Sequence, residues 1–255
     1  PEGDALRLAP AKGGGLAVPA ADAAALRAAL WRFARAANLL RLAAVSAASG
    51  EGAALDASLE IVAETDPARL ADPRRACAAP SRPATRTVAD ENLAALGHCD
   101  AIKLSLANRG ERDLDVAVFL VDPAGDIAIP SREWRGNGCM AYLPAKAGRP
   151  LVVRTQARLW TAQGPGLAGP HRVLVFALER KGGMAPDLCA LLAPAPPGAG
   201  QALRAGGRAG FARLLTRAGL ADPALRAANP FAEEEEGAGG FAARRFTLDL
   251  RPAAP

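Results

Sequence analysis

The stretch AIKLSLANRGERDLDVAVFLVDPAGDI, residues 101–127, decides the fold class. In its first part Ile102, Leu104 and Leu106 alternate with polar or small residues, which is typical of a strand buried on one face. The Asn-Arg-Gly-Glu sequence at 108–111 predicts a turn, because Asn and Gly tolerate positive φ. The segment therefore predicts a half-buried strand that reverses direction.

The second part of this stretch predicts the centre of a sheet. Residues 114–121 are apolar on both faces apart from Asp115, which predicts a strand covered on both sides. The Asp-Pro-Ala-Gly sequence at 122–125 predicts a second turn, since Pro favours its first central position. A short returning strand is expected at 126–129.

The β pattern continues beyond this stretch. We expect a turn at Asn137-Gly138, a strand over 151–160, a loop at 164–166 and a strand over 172–178. Strands separated by turns, with no helix between them, are typical of an antiparallel sandwich. We therefore predict a mainly β (α+β) chain whose core, residues 98–182, is an immunoglobulin-like antiparallel β-sandwich.

The amino-terminal part predicts one long helix. The Gly/Pro/Ala-rich residues 1–21 predict a linker, and residues 22–50 predict a helix that Asp22 caps. An apolar stripe at helical spacing is expected to face the core. Its members are Leu26, Leu30, Phe33, Ala37, Leu40 and Ala44.

The flanks of the sandwich are predicted less regularly. Residues 51–97 predict a strand at 59–63 followed by an extended Pro-rich loop, and residues 183–255 predict a tail of loop and short helix (210–219) that returns a closing strand near 244–250. The acidic run at 233–236 predicts a solvated loop rather than a metal site. The predicted inward residues are Leu104, Leu106, Val116, Val118, Leu120, Val153, Val173, Val175, Phe246 and Leu248.

Composition excludes several classes of protein. At 255 residues and 50% hydrophobic content the chain can bury a core, although only 4% of it is aromatic. No apolar run approaches the roughly 18–20 residues of a membrane span. The net charge of +5 rests on a strong Arg bias with interspersed acids, so we predict no nucleic-acid partner. Because the chain opens at Pro1 without a Met, we expect it to be a fragment.

The four cysteines leave two states open. Cys77, Cys99, Cys139 and Cys189 show no metal-ligand spacing, so we predict no metal site. They are either two disulfides of an extracytoplasmic, periplasmic protein or four reduced thiols of a cytoplasmic one. We favour disulfides, with the pairs Cys99–Cys139 and Cys77–Cys189.

The sequence holds no convincing catalytic motif. A thiol hydrolase would use Cys77 or Cys99 with one of the two histidines, His98 and His171, but no known nucleophile motif surrounds either cysteine. Nucleotide-binding glycine motifs are absent, so we predict no cofactor. Trp134 and Trp160 are candidate ligand contacts of a glycan- or peptide-binding sandwich. In a chain with so few aromatic residues, however, their more ordinary role is to pack in the core.

Part of the chain resembles a known family. The relevant features are an Asn-x-Gly turn after a strand (104–110), a Val-Asp-x-x-Gly-x-Ile hairpin (121–127), Pro130, the turn at 137–138 and a strand Gly-x-x-x-Leu/Val-x-Val-Phe-Ala (169–177). Residues 98–180 thus resemble the non-catalytic β-sandwich domain of unknown function that follows caspase-like peptidase domains in many bacteria.

The resemblance implies an accessory part of a larger protein. The parent would be a bacterial caspase-like cysteine peptidase with its catalytic residues upstream, and this chain would carry none of them. The expected partner is that upstream domain or another protein. The function predicted is therefore a non-catalytic interaction domain; a ligand-binding module and, less favoured, a thiol hydrolase are the alternatives.

Overall fold

The computed structural model describes residues 5–8, 16–19, 22–49, 54–64, 77, 84–88, 93–130, 139–146, 148–157, 160–161, 164–165, 168–180 and 240–251. One helix, α1 (Ala23–Ser49), lies among fourteen strands in these ranges. The strands are β1 (Ala5–Leu8), β2 (Leu16–Pro19), β3 (Leu55–Ala63), β4 (Ala84–Val88), β5 (Leu93–Leu96), β6 (Ala101–Asn108), β7 (Leu114–Val121), β8 (Ile127–Ala128), β9 (Met140–Leu143), β10 (Leu151–Gln156), β11 (Trp160–Thr161), β12 (Gly164–Pro165), β13 (Gly169–Glu179) and β14 (Phe241–Leu250).

Two sheets form the body of the molecule. The small sheet has the order β10-β6-β3-β4, and every neighbouring pair in it is antiparallel. The large sheet has the order β5-β14-β13-β7-β8, and β9 also pairs with β7. Its pairs are antiparallel except for β5, which runs parallel to β14. The predicted mainly β (α+β) fold is confirmed; the immunoglobulin-like topology stays a prediction.

The main core lies between the two sheets. It joins buried side chains of β3, β6 and β10 to buried side chains of β7, β13 and β14. Nine of the ten predicted inward residues belong to this core, and Leu120 packs against it while partly buried. The alternation of β6 and the two-sided burial of β7 are both confirmed. Local periodicity therefore places the sandwich core correctly.

Two polar turns fix the chain reversals around β7. The Asn108 Oδ1 accepts a hydrogen bond from the Gly110 N–H at 2.9 Å. At the other end the Gly125 N–H donates to the Asp122 carbonyl at 3.0 Å, and Gly125 has φ +80°, which glycine tolerates best. Both predicted turns are confirmed.

The helix packs on the outer face of the large sheet and makes a third layer. Its amino terminus is capped as predicted, because the Ala25 N–H donates to Asp22 Oδ1 at 2.8 Å. Side chains of α1 share a second core with those of β7, β13 and β14, among them Phe119 and Phe176. The rings of these two phenylalanines lie 5.9 Å apart.

The predicted inward face of this helix is only partly correct: Leu40 packs against the second core, and Leu26 and Phe33 are half-buried. Leu30, Ala37 and Ala44 are exposed, and the residues that the helix buries are Ala29, Ala36, Leu39, Leu42, Ala43 and Ser46. The helix is so rich in Ala and Leu that more than one stripe fits the helical spacing. The helix buries the stripe that contains Ala29, Ala36 and Ala43, since small side chains let the helix lie close to the sheet.

Several local elements also differ from the sequence prediction. The predicted linker contains the antiparallel pair β1–β2, the predicted Pro-rich loop contains β4, and the predicted loop at 164–166 contributes β12, which pairs with β11. β4 carries Thr85, Thr87 and Val88, which favour strands, and lies at a sheet edge, where neighbouring prolines are tolerated. The strand predicted over 151–160 ends at Gln156.

The carboxy-terminal strand is confirmed, although the rest of the tail is not described. β14 pairs with β13 over ten residues and with β5 on its other side, so it is an inner strand of the large sheet. The predicted turn at 137–138, the short helix at 210–219 and the acidic run at 233–236 lie outside the described residues. In the part of the chain that the structure describes, no helix has the length and apolarity needed to cross a membrane.

Candidate functional site

Two cysteines and a histidine meet at one end of the sandwich. Cys77 and Cys99 form a disulfide with a Cα–Cα distance of 5.1 Å. His98 lies beside it, with its Nε2 4.0 Å from the Cys77 Sγ. The two sulfur atoms and a ring nitrogen of His98 all lie within 4.8 Å of one another. We call these three residues the Cys-His-Cys cluster.

The turn at 97–100, between β5 and β6, positions two members of the cluster. The Asp100 carboxylate accepts a hydrogen bond from the Gly97 N–H at 2.8 Å and another from the Glu64 N–H at 2.9 Å. Because one oxygen takes each bond, the carboxylate ties the turn to the residue that follows β3. Asp100 is buried, so these bonds also give each of its side-chain oxygens a hydrogen-bond partner in the interior.

Main-chain bonds hold the same turn to the end of β10. The Cys99 N–H donates to the Ala157 carbonyl at 2.9 Å, and the Ala157 N–H donates to the Asp100 carbonyl at 2.9 Å. The turn is thus fixed from two neighbouring strands. The positions of His98 and Cys99 follow from the fold of the small sheet rather than from a free loop.

Cys99 has an uncommon backbone conformation. Its φ is +65°, in the left-handed region that residues with a Cβ rarely adopt. Residues held in this region cluster at functional and tightly constrained sites. Here the conformation is held by the bonds from Ala157 and by the covalent link to Cys77.

The cluster is largely shielded from solvent. Cys99 is fully buried and His98 is 2% exposed, whereas Cys77 is half-buried. Thiolate sulfur and imidazole nitrogen are the ligands that zinc prefers in proteins. The cluster therefore has the donor atoms for a metal in its reduced state and holds a disulfide in its oxidised state.

The structure pairs the cysteines differently from the prediction, and the three cysteines described are all disulfide-bonded. Cys99 is joined to Cys77 and not to Cys139, while Cys139 is itself disulfide-bonded. The two cysteines lie in different layers of the molecule. Cys99 lies in the turn that precedes β6 of the small sheet, whereas Cys139 packs among the residues between the large sheet and α1. The chain order of the turns suggested proximity, but the two positions lie on different faces. Cys189 lies outside the described residues.

Among the other predicted site residues, only His171 has a described side chain, and it is not part of this cluster. Trp134 lies outside the described residues, and Trp160 is described only by its backbone, which pairs with Pro165 in β11–β12. His171 stands at the start of β13, half-buried, with its Nδ1 2.9 Å from the Gly169 carbonyl oxygen. His98 and Cys99 are adjacent in sequence, but nothing in the sequence marked Cys77 as their neighbour.

A second polar cluster lies at the base of β7. The Tyr142 hydroxyl donates to Asp113 Oδ2 at 2.6 Å, and this bond, with one from the Ala145 N–H, lowers the pKa of Asp113. The same bond raises the pKa of Tyr142. Arg180 pairs with the buried Asp115 through two nitrogens at 2.9 and 3.2 Å and lies 4.9 Å over the Tyr142 ring.

This second cluster is best explained as structural. The hydrogen bond and ion pair from Asp115 raise the pKa of Arg180, so the guanidinium stays charged and satisfies the buried carboxylate. Arg180 also donates its main-chain N–H to the Asp113 carbonyl at 2.7 Å. These bonds join the end of β13 to the segment that begins β7.

Comparison of the chain with protein families, with curated proteins and with solved structures gives no match.

Proposed function

We propose that this chain is a non-catalytic accessory domain that acts through protein–protein contacts. The observation that carries the proposal is the Cys77–Cys99 disulfide. It joins the two cysteines that the sequence offered as nucleophiles. Because only a thiolate attacks a substrate, a thiol hydrolase built on either residue would need the bridge to be open.

The same disulfide supports an extracytoplasmic location. Disulfides persist in oxidising compartments and are rare where thiol reductants are abundant. Cys77, Cys99 and Cys139 are all disulfide-bonded. A periplasmic or otherwise extracytoplasmic domain is thus favoured over a cytoplasmic one.

A labelling experiment tests the non-catalytic assignment. The unreduced native protein is treated with a broad thiol-directed activity probe and then mapped by peptide mass spectrometry. We expect no label on Cys77 or Cys99. The Cys77→Ala variant is the positive control, because it leaves Cys99 as a free thiol; since Cys99 is buried, that variant is also mapped after unfolding. Labelling of Cys99 in the unreduced native protein would contradict the proposal.

The proposed parent is a bacterial caspase-like cysteine peptidase, on the strength of the resemblance over residues 98–180. The proposed partner is then the peptidase domain of the same polypeptide. The genomic sequence that precedes the codon for Pro1 tests this directly. A peptidase domain carrying a His-Cys dyad there supports the proposal, and an unrelated upstream sequence would contradict it.

The exposed face of α1 offers a place for such a contact. Leu30 and Trp31 are neighbouring large apolar residues, 52% and 45% exposed. Trp is enriched among the residues that dominate binding at protein interfaces. We expect Trp31→Ala to weaken binding to the peptidase domain, while Leu93→Ala, an exposed apolar residue on β5, serves as the matched control.

A further inference from the structure

We propose that the Cys-His-Cys cluster is a redox-controlled zinc site, in which reduction of the Cys77–Cys99 disulfide creates the ligands for one Zn²⁺ ion. The ligands are the Cys77 Sγ, the Cys99 Sγ and the His98 Nε2. The inference concerns the state in which a dithiol has opened the bridge, whereas the proposed accessory function is argued from the oxidised state of the same two cysteines.

The distance between the Cys77 Sγ and the His98 Nε2 is close to that of a zinc site, while the two sulfurs, which are covalently bonded to each other, must move apart on reduction. Tetrahedral zinc with Zn–S near 2.3 Å and Zn–N near 2.05 Å places a sulfur about 3.6 Å from a nitrogen and two sulfurs about 3.8 Å apart. The Cys77 Sγ lies 4.0 Å from the His98 Nε2, and all three ligand atoms lie within 4.8 Å. Once the covalent bond is broken, rotation about the Cα–Cβ bond of either cysteine separates the sulfurs.

The oxidised disulfide and the reduced, zinc-bound cluster differ by two electrons and by the bound ion. A dithiol reductant supplies two electrons and two protons, the S–S bond breaks, the reductant becomes a disulfide, and Cys77 and Cys99 become thiols. Zn²⁺ then forms two Zn–S bonds as each thiol releases its proton to solvent, and His98 donates the lone pair of its Nε2. Two thiolates and Zn²⁺ have no net charge, which suits a buried site.

The hydrogen bonds around the cluster hold two of its three ligand residues in place before a metal binds. His98 and Cys99 are held by the turn that Asp100 and Ala157 fix to two strands. Both Asp100 oxygens accept main-chain N–H bonds, so this carboxylate positions the turn and is not counted as a ligand. Cys77 is half-buried, so the cluster is in contact with solvent, and the fourth ligand that tetrahedral zinc requires would be a water molecule.

Cobalt binding tests the proposal, because Co²⁺ replaces zinc in thiolate sites and is visible by absorption. The protein is reduced, desalted without oxygen and titrated with Co²⁺, and Zn²⁺ is then added to displace it. We expect the reduced protein to bind one Co²⁺ with thiolate charge-transfer bands and the oxidised protein to bind none. Absence of these bands in the reduced, folded protein would overturn the proposal.

The two histidines provide a matched pair of variants. We expect His98→Asn to weaken cobalt and zinc binding by about 100-fold, because the loss of a ligand costs at least as much as the loss of its supporting hydrogen bonds. His171→Asn is expected to bind like the wild type, since His171 lies at the start of β13. Equal binding by both variants would overturn the assignment of His98.

Two further measurements test whether the metal binds at Cys139 instead and whether the reduced protein stays folded. Reduction also opens the bridge at Cys139, so Cys139→Ala is expected to keep the bands; their loss would move the site away from this cluster and overturn the proposal. Far-UV circular dichroism follows the fold throughout. If the reduced protein unfolds, we expect Zn²⁺ to restore the folded spectrum of the wild-type protein but not that of the His98→Asn variant. If Zn²⁺ does not restore the wild-type spectrum, the proposal is overturned.

Discussion

At the scale of single residues, Asn108 is the polar side chain on which one end of the sandwich depends. It is 2% exposed; its Nδ2 donates to the Arg112 and Leu143 carbonyls at 2.7 and 3.2 Å, and its Oδ1 accepts from the Gly110 N–H. We expect Asn108→Ala to lower the free energy of unfolding by about 2–3 kcal/mol, because buried groups lose their partners. Urea denaturation measures this change.

The neighbouring Arg109 provides the control for that measurement. Its side chain is 72% exposed and pairs with Asp56 at 3.1 Å. Exposed ion pairs contribute little, so Arg109→Ala is expected to change the free energy of unfolding by less than about 1 kcal/mol. Equal losses in the two variants would mean that the position in the turn, and not the buried amide, matters.

The Asp113–Tyr142 pair gives a pH dependence at the same scale. The Tyr142 bond lowers the pKa of Asp113, so its stabilisation is present above the unfolded pKa near 4 and is lost as pH falls through the lower folded pKa. The pKa of Tyr142 is raised, so its stabilisation is present below about pH 10 and is lost as pH rises through the higher folded pKa. The hydrogen bond between Asp113 and Tyr142 therefore stabilises the folded state fully between the unfolded pKa of Asp, near 4, and that of Tyr, about 10.

The Tyr142→Phe variant tests this dependence, because it removes the hydroxyl and keeps the ring beneath Arg180. We expect wild type and variant to differ most in their urea midpoints near neutral pH. The difference should shrink as pH falls through the lowered folded pKa of Asp113 and as pH rises through the raised folded pKa of Tyr142. A difference that does not vary with pH would show that the hydroxyl acts through packing alone.

At the scale of secondary-structure elements, the corrected face of α1 can be measured with two leucines. Leu42 is fully buried against the large sheet, whereas Leu30 is 52% exposed. We expect Leu42→Ala to lower the free energy of unfolding by about 3 kcal/mol, through lost burial and a cavity. Leu30→Ala is expected to cost no more than about 0.5 kcal/mol. The reverse order would restore the stripe expected from the sequence.

The same comparison shows where sequence patterns decide an element and where they do not. The alternation through Ile102, Leu104 and Leu106 has one solution, because a strand has only two faces. The Ala-rich helix has several stripes of similar apolarity, and contact with Phe119 and Phe176 selects among them. Neither face of β4 was predictable from its Pro-rich surroundings, since its strand exists only by pairing with β3.

The candidate site was even less accessible to sequence patterns. His98 and Cys99 are adjacent, so the sequence could name them as a pair. Cys77 joins them across a sequence separation of 22 residues, without any of the short spacings that mark metal or redox motifs. The cluster depends on the turn held by Asp100 and Ala157, and these contacts come from strands far apart in the chain.

At the scale of the whole molecule, the Cys77–Cys99 disulfide is expected to stabilise a sandwich whose chain is only 4% aromatic. The bridge closes a loop of 22 residues, for which the lost entropy of the unfolded chain corresponds to about 3 kcal/mol. The double variant Cys77→Ala/Cys99→Ala should therefore keep its far-UV spectrum but unfold at a lower urea concentration. Unchanged stability would show that the contacts of the turn at 97–100 already hold this end of the molecule without the bridge.

A second double variant, Cys77→Ala/Cys99→Gly, separates the backbone from the bridge. Cys99 has φ +65°, and the left-handed conformation costs a residue with a Cβ about 1–2 kcal/mol relative to glycine. We therefore expect the variant with glycine at 99 to be the more stable of the two by about 1 kcal/mol, as measured by the same urea titration. If the alanine variant is the more stable, the turn relaxes out of the left-handed region once the bridge is gone, and the bridge, rather than Asp100 and Ala157, is what imposes that conformation on Cys99.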